Sequence, residues 1–128
     1  MRRLVNNSRE AISCCSDDPK QIEQWVREHM VYTPEPVEVL RTPEYMLQAI
    51  VSRGFFNGDC DDAAILVAAI SKGMGIPCKL VAISEGILSD DYVHVFVEML
   101  YNNQWVIVDP TIAPGTPILT LNALKVLV

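Results

Sequence analysis

Gly58-Asp59-Cys60-Asp61-Asp62-Ala63-Ala64-Ile65-Leu66-Val67-Ala68-Ala69-Ile70 decides how the rest of this chain is read. A glycine turn and an aspartate suited to capping precede a cysteine, and an apolar run follows. The pattern predicts a helix that starts at the cysteine. A thiol at a helix N-terminus faces free backbone N–H groups and the positive end of the helix dipole, which favour the anionic, nucleophilic form. Asp59 is expected to cap, with Asp61 and Asp62 in the first turn. Their charge opposes the thiolate; an imidazolium in contact with the sulfur would outweigh it. Positions 63–70 are apolar on every side, so this helix should run through the middle of the domain. Gly73 and Gly75 should end it.

Outward from that helix, Asp18-Pro19 and Thr42-Pro43 both read as an N-cap followed by proline at the first helical position. Ile22, Trp25, Val26 and Met30 make one apolar stripe; Met46, Leu47, Ile50 and Val51 make the other, and Gly54 is a natural stop. Tyr32-Thr33-Pro34-Glu35-Pro36 should be extended. A short helix is possible within residues 1–16. Cys78 to Ile83 reads as a strand, Glu85 to Asp91 as a polar loop whose acidic residues suit a basic substrate, and 118–128 as an ambiguous apolar stretch.

Tyr92 to Tyr101 and Gln104 to Asp109 read as two strands joined at Asn102-Asn103, since asparagine tolerates the positive φ of a tight hairpin turn. A two-residue turn sets Tyr101 opposite Gln104 and Phe96 opposite Asp109. His94 and Phe96 share a face, so Asp109 is diagonal to His94, about 7–8 Å away at the backbone and within side-chain reach. A three-residue loop would put the two on opposite faces. An imidazole oriented by a carboxylate is the general base that a nucleophile requires. Cys60 supplies the nucleophile, and its own N–H the start of an oxyanion site.

The bulk properties agree with a folded enzyme-sized unit. The chain has 128 residues, enough to bury roughly two-thirds of its unfolded surface. A net charge of −6 without a basic cluster argues against nucleic acid as a partner. No apolar run is long enough for a bilayer, and Met1-Arg2-Arg3 is not followed by a signal-type segment. Cys14, Cys15, Cys60 and Cys78 form no CxxC pair. Free thiols in a reducing, cytoplasmic compartment are therefore expected.

At these residues the chain resembles the transglutaminase-like superfamily, with its papain-like cysteine enzyme core. The resemblance rests on Gly58 to Leu66, on Gly75-Ile76-Pro77-Cys78-Lys79-Leu80-Val81, on His94-Val95-Phe96-Val97-Glu98 and on Trp105-Val106-Ile107-Val108-Asp109-Pro110-Thr111. It implies an α+β fold, with a buried central helix packed on an antiparallel sheet and helices N-terminal to it. It implies one such domain over 1–128, similar to compact bacterial or phage-encoded members. It also implies a catalytic Cys60–His94–Asp109 triad acting on peptide or side-chain amides through a thioester. The acceptor would be water, as in a cysteine peptidase or amidase, or a lysine amine, as in a cross-linking transglutaminase. The small domain offers little surface for selecting two protein substrates, which favours hydrolysis. A non-catalytic peptide-binding or assembly module on the same fold is the other alternative.

No cofactor is expected. The acidic cluster lacks calcium-loop spacing, and a zinc site of Cys60, His94 and Asp109 lacks HExxH or CxxC, so no metal is expected either. Asn57 and Gln48 are candidates for a side-chain oxyanion donor. His29, Cys78 and Trp105 are expected to be packing residues, and Glu98 to be solvated.

Overall fold

A computed structural model of the chain describes residues 17–33, 41–84, 92–113 and 123–127. The elements run α1 (Pro19–Glu28), β1 (Met30–Tyr32), α2 (Pro43–Arg53), β2 (Phe56–Gly58), α3 (Cys60–Gly73), β3 (Cys78–Ser84), β4 (Tyr92–Tyr101), β5 (Gln104–Val108) and β6 (Ala123–Leu127). The expectations for residues 1–16 and for the loop 85–91 lie outside the described residues, as do Cys14 and Cys15.

The helix starts follow the predicted chemistry. Asp18 caps α1, its Oδ1 accepting the Lys20 N–H at 2.9 Å, with Pro19 at the first helical position. Thr42 caps α2 by accepting the Tyr45 N–H at 3.1 Å. Gly54 ends α2 in the left-handed conformation, φ 89°. The buried face of α2 is Met46, Leu47 and Ala49, whereas Val51 is 77% exposed. A run of apolar residues over-assigned that face, because consecutive residues on a helix diverge by about 100° and cannot all point inward.

Helix α3 is the core element. Ala63, Ala64, Leu66, Val67, Ala68, Ala69 and Ile70 are all buried along it. Ala64, Leu66, Val67, Ala68 and Ile70 pack with Ile22 and Val26 of α1, Met46 of α2, Phe56 of β2, and Cys78, Val97, Met99 and Val108 of the main sheet. That sheet is antiparallel, in the order β5-β4-β3-β6. The ambiguous C-terminal stretch thus contains an edge strand, paired from Lys79↔Leu127 to Ile83↔Ala123.

The turn at Asn102-Asn103 is the two-residue one. Both asparagines have positive φ, 52° and 63°, and Tyr101 pairs with Gln104. The ladder continues to Val97↔Val108, one step short of Phe96 and Asp109. β4 is covered on both sides: Val97 and Met99 are buried on one face, Phe96 and Glu98 on the other. Glu98 is therefore not the solvated residue its place near the turn suggested.

A second, two-stranded sheet went unanticipated. β1 and β2 pair in parallel, with Met30 opposite Phe56, Val31 opposite Asn57 and Tyr32 opposite Gly58. Met30 accordingly belongs to a strand rather than to the α1 stripe. Three-residue strands are too short to show a periodicity.

Candidate active site

Cys60 is the first helical residue of α3, and Asp59 is its N-cap. Asp59 Oδ1 accepts the N–H groups of Asp61 at 3.1 Å and Asp62 at 3.4 Å. Asp62 Oδ2 accepts the Asp59 N–H in return at 3.1 Å, which closes a capping box. Asp62 is fully buried, and Arg41 balances it through its guanidinium at 3.1 Å and its backbone N–H at 3.2 Å. Gly58 is needed here for space, not for a left-handed turn. A Cβ on it would lie 2.8 Å from both Cβ and Oδ2 of Asp62. Burial, together with the charges of Asp62 and Asp61, holds the Asp59 carboxyl above its usual range despite the N–H bonds it accepts. With Asp61, Asp62 and Ala63 N–H groups bonded to Asp59, the Cys60 N–H is the first-turn donor left without a partner among the described residues.

The hairpin delivers the other two groups. His94 Nε2 and Asp109 Oδ2 are 2.5 Å apart, within hydrogen-bond length. Asp109 Oδ1 accepts the Thr111 N–H at 3.0 Å and the Thr111 hydroxyl at 2.7 Å. The Asp109 bond, then a hydrogen bond with Cys60, raise the His94 pKa to about 10, with burial opposing. Burial pushes Asp109 upward, but the bonds from His94 and Thr111 outweigh it and leave the carboxyl below its usual range. Nε2 is committed to Asp109, so Nδ1 is the ring nitrogen left for the sulfur. The Cys60 Sγ also lies 4.0 Å from Asp61 Oδ1. The structure thus brings together Cys60, His94 and Asp109, the three residues singled out in the sequence.

Other expectations divide. His29 bonds through Nδ1 to the Trp25 carbonyl at 2.7 Å and stacks on Trp25, as a packing histidine should. Cys78 is fully buried in β3. Trp105 carries Lys79 Nζ over its ring at 4.0 Å. Gln48 bonds to Ser52 on the exposed side of α2 at 3.3 Å. Among the described residues, no group of three or more His, Cys, Asp or Glu side chains is placed to hold a metal ion.

Two features escaped sequence reasoning. The parallel β1–β2 pairing puts Tyr32 beside the site. Partial burial and the charges of Cys60, Asp59, Asp61 and Asp109 raise its pKa. Glu23 of α1 is buried and accepts the Asp109 backbone N–H at 2.8 Å. Its helical spacing with Lys20 and Arg27 was the available signal, but such charges usually belong to a solvated face.

This arrangement, a thiol at a helix start facing a histidine–carboxylate pair on an antiparallel sheet, marks a papain-like cysteine fold. The chain belongs to the transglutaminase-like superfamily, whose family model matches residues 2–110. The fold is similar to that of a "putative cysteine protease" from Cytophaga hutchinsonii, with TM-score 0.64 and 17% identity, over 96% of this chain and 40% of that one. It is also similar to a "putative protease" from Parabacteroides distasonis, with TM-score 0.64 and 14% identity, over 83% of this chain and 22% of that one. The chain therefore spans less than half the length of either neighbour. Comparison with curated proteins gives no match. Among the described residues, no helix is long and apolar enough to cross a membrane.

Proposed function

We propose that the chain is a cysteine-dependent acyl-transfer enzyme that hydrolyses peptide or side-chain amides through a thioester. The observation that carries this reading is the His94–Asp109 hydrogen bond, with Cys60 at the start of α3 near enough to help raise the His94 pKa. With its pKa near 10, His94 is an imidazolium at neutral pH, the partner that favours an anionic sulfur.

In the first half-reaction Sγ attacks the amide carbon and the carbonyl opens to an oxyanion. The Cys60 N–H at the tip of α3 is placed to stabilise that charge. The C–N bond breaks as the imidazolium gives its Nδ1 proton to the departing amine, leaving a thioester and a neutral imidazole. In the second, the imidazole takes a proton from water, the hydroxide attacks the thioester carbon, and the C–S bond breaks. The product leaves as the carboxylic acid, which gives its proton to solvent, and the thiolate–imidazolium pair is restored. Throughout, Asp109 holds the ring by Nε2 and stabilises its charged form.

Hydrolysis is favoured over cross-linking because the two structural neighbours are described as a "putative cysteine protease" and a "putative protease". Peptide and amide libraries read by mass spectrometry test it, with a lysine-type amine as competing acceptor. We expect carboxylate products and a Cys60 acyl adduct in the intact mass. Amine adducts as the main product would make the enzyme a cross-linker. No turnover and no adduct with any amide, from a protein whose Cys60 alkylates readily, would sink the proposal.

A further inference from the structure

The corner that carries Asp109 is gripped from outside the candidate triad by one face of α1. Lys20, Glu23 and Arg27 follow one another at three- and four-residue spacing on that helix, so they project in one row. Lys20 Nζ donates to the Ile107 carbonyl at 3.0 Å. Glu23 Oε2 accepts the Asp109 N–H at 2.8 Å. Arg27 donates to the carbonyls of Asp109 at 3.3 Å and Ile112 at 2.9 Å. The row is cross-braced, with Glu23 paired to Lys20 at 3.4 Å and to Arg27 at 3.2 Å.

A helix surface does not need four bonds to one strand end for packing alone. The β4–β5 ladder stops at Val97↔Val108, so Asp109 has no ladder partner to fix its backbone. Its N–H is buried, and without Glu23 it would be left unsatisfied. The carboxylate must still meet His94 within a hydrogen-bond length, and errors of about 1 Å matter in such sites.

We infer that Glu23, backed by Arg27, is a positioning residue: it replaces the missing ladder bond at Asp109 and so sets where that carboxylate meets His94. Lys20 is exposed and tethers only the preceding residue pair. The consequence for reactivity rests on the acyl-transfer reading above; the geometric claim does not.

The test follows the His94 ring by NMR titration, with His29 as internal control, alongside the rate at which iodoacetamide labels Cys60. Neither readout needs a substrate. Glu23→Ala is expected to lower the His94 midpoint by about one unit or more, roughly tenfold in proton affinity, and to slow Cys60 labelling. Glu23→Gln keeps an oxygen for the Asp109 N–H and is expected to restore most of the midpoint. A merely structural role would lower the melting temperature and leave the titration alone. A folded Glu23→Ala with an unchanged His94 midpoint overturns the inference, as does a Glu23→Gln as impaired as the alanine. If Glu23→Ala does not fold, Arg27→Met decides, a lowered midpoint supporting the inference and an unchanged one overturning it. A wild-type protein that turns over no amide, while its His94 midpoint still responds to Glu23, sinks the acyl-transfer reading and upholds the positioning role.

Discussion

The two described thiols lie at opposite ends of the same buried helix and have opposite surroundings. Cys60 opens α3 at the positive end of the helix dipole, and its sulfur helps to raise the His94 pKa. Cys78, on β3, packs against the C-terminal half of α3, its Sγ 3.9 Å from the Ala68 carbonyl. Burial raises the Cys78 pKa, although Lys72 and a bond from Ser71 pull the other way. A helix N-terminus favours a negative charge, and a dry pocket beside a carbonyl penalises one. Residue type is the same at both ends, so place in the fold sets the reactivity.

The contrast is broken most directly by removing each sulfur. Cys60→Ala should abolish amide turnover and the fast alkylation signal, and Cys78→Ala should preserve both. A Cys78 that reacts with iodoacetamide as fast as Cys60 would erase the distinction.

The imidazolium is the next element of the contrast. Asp109→Asn should lower kcat/KM roughly 10²- to 10⁴-fold, the usual weight of general acid–base groups. In the wild type, the alkaline limb of the pH–rate profile should lie near the His94 value of about 10. In Asp109→Asn it should move down toward the ordinary histidine range. A limb that stays in place would remove Asp109 as the cause.

Asp62 is what makes the reactive end buildable. Asp62→Ala removes the Asp62–Arg41 ion pair and opens the capping box. Loss of one partner of a buried pair costs about 3–5 kcal/mol, measurable by urea unfolding.

The His94–Asp109 pair should also sign the pH dependence of stability. The His94 pKa is raised from 6.5 to about 10, so its contribution is complete below 6.5 and fades as pH climbs toward 10. Asp109 is lowered from 3.8, so its contribution is present above 3.8 and fades as pH falls further. The stability gap between wild type and His94→Gln should therefore be widest between 3.8 and 6.5. A gap that grows from pH 7 to pH 10 would contradict the shift. Smallest of all, Asp59→Ala should cost about 1 kcal/mol as a lost cap, with α3 intact by circular dichroism.

Much of this was legible before any coordinates. The cap at Asp59, the helix after it and the caps at Asp18 and Thr42 are local chemistry, settled by residues within one turn of each other. The pairing of His94 with Asp109 is not local, yet it was readable, because a two-residue turn at Asn102-Asn103 leaves one register. The inward face of α2 was misread at Val51, and Glu98 was wrongly placed in solvent, because neither position reveals what packs over it.

By itself, then, the sequence determined the helix starts, the hairpin register and the identity of the three candidate catalytic side chains. Each depends on hydrogen bonds or periodicities spanning a few residues. Only the tertiary structure decided that Gly58 makes room for Asp62, that Tyr32 lies beside the site through a parallel pairing, and that α1 holds the Asp109 corner. Those contacts join segments up to 87 residues apart. No local spacing encodes which of many exposed-looking charges will be buried when such segments meet.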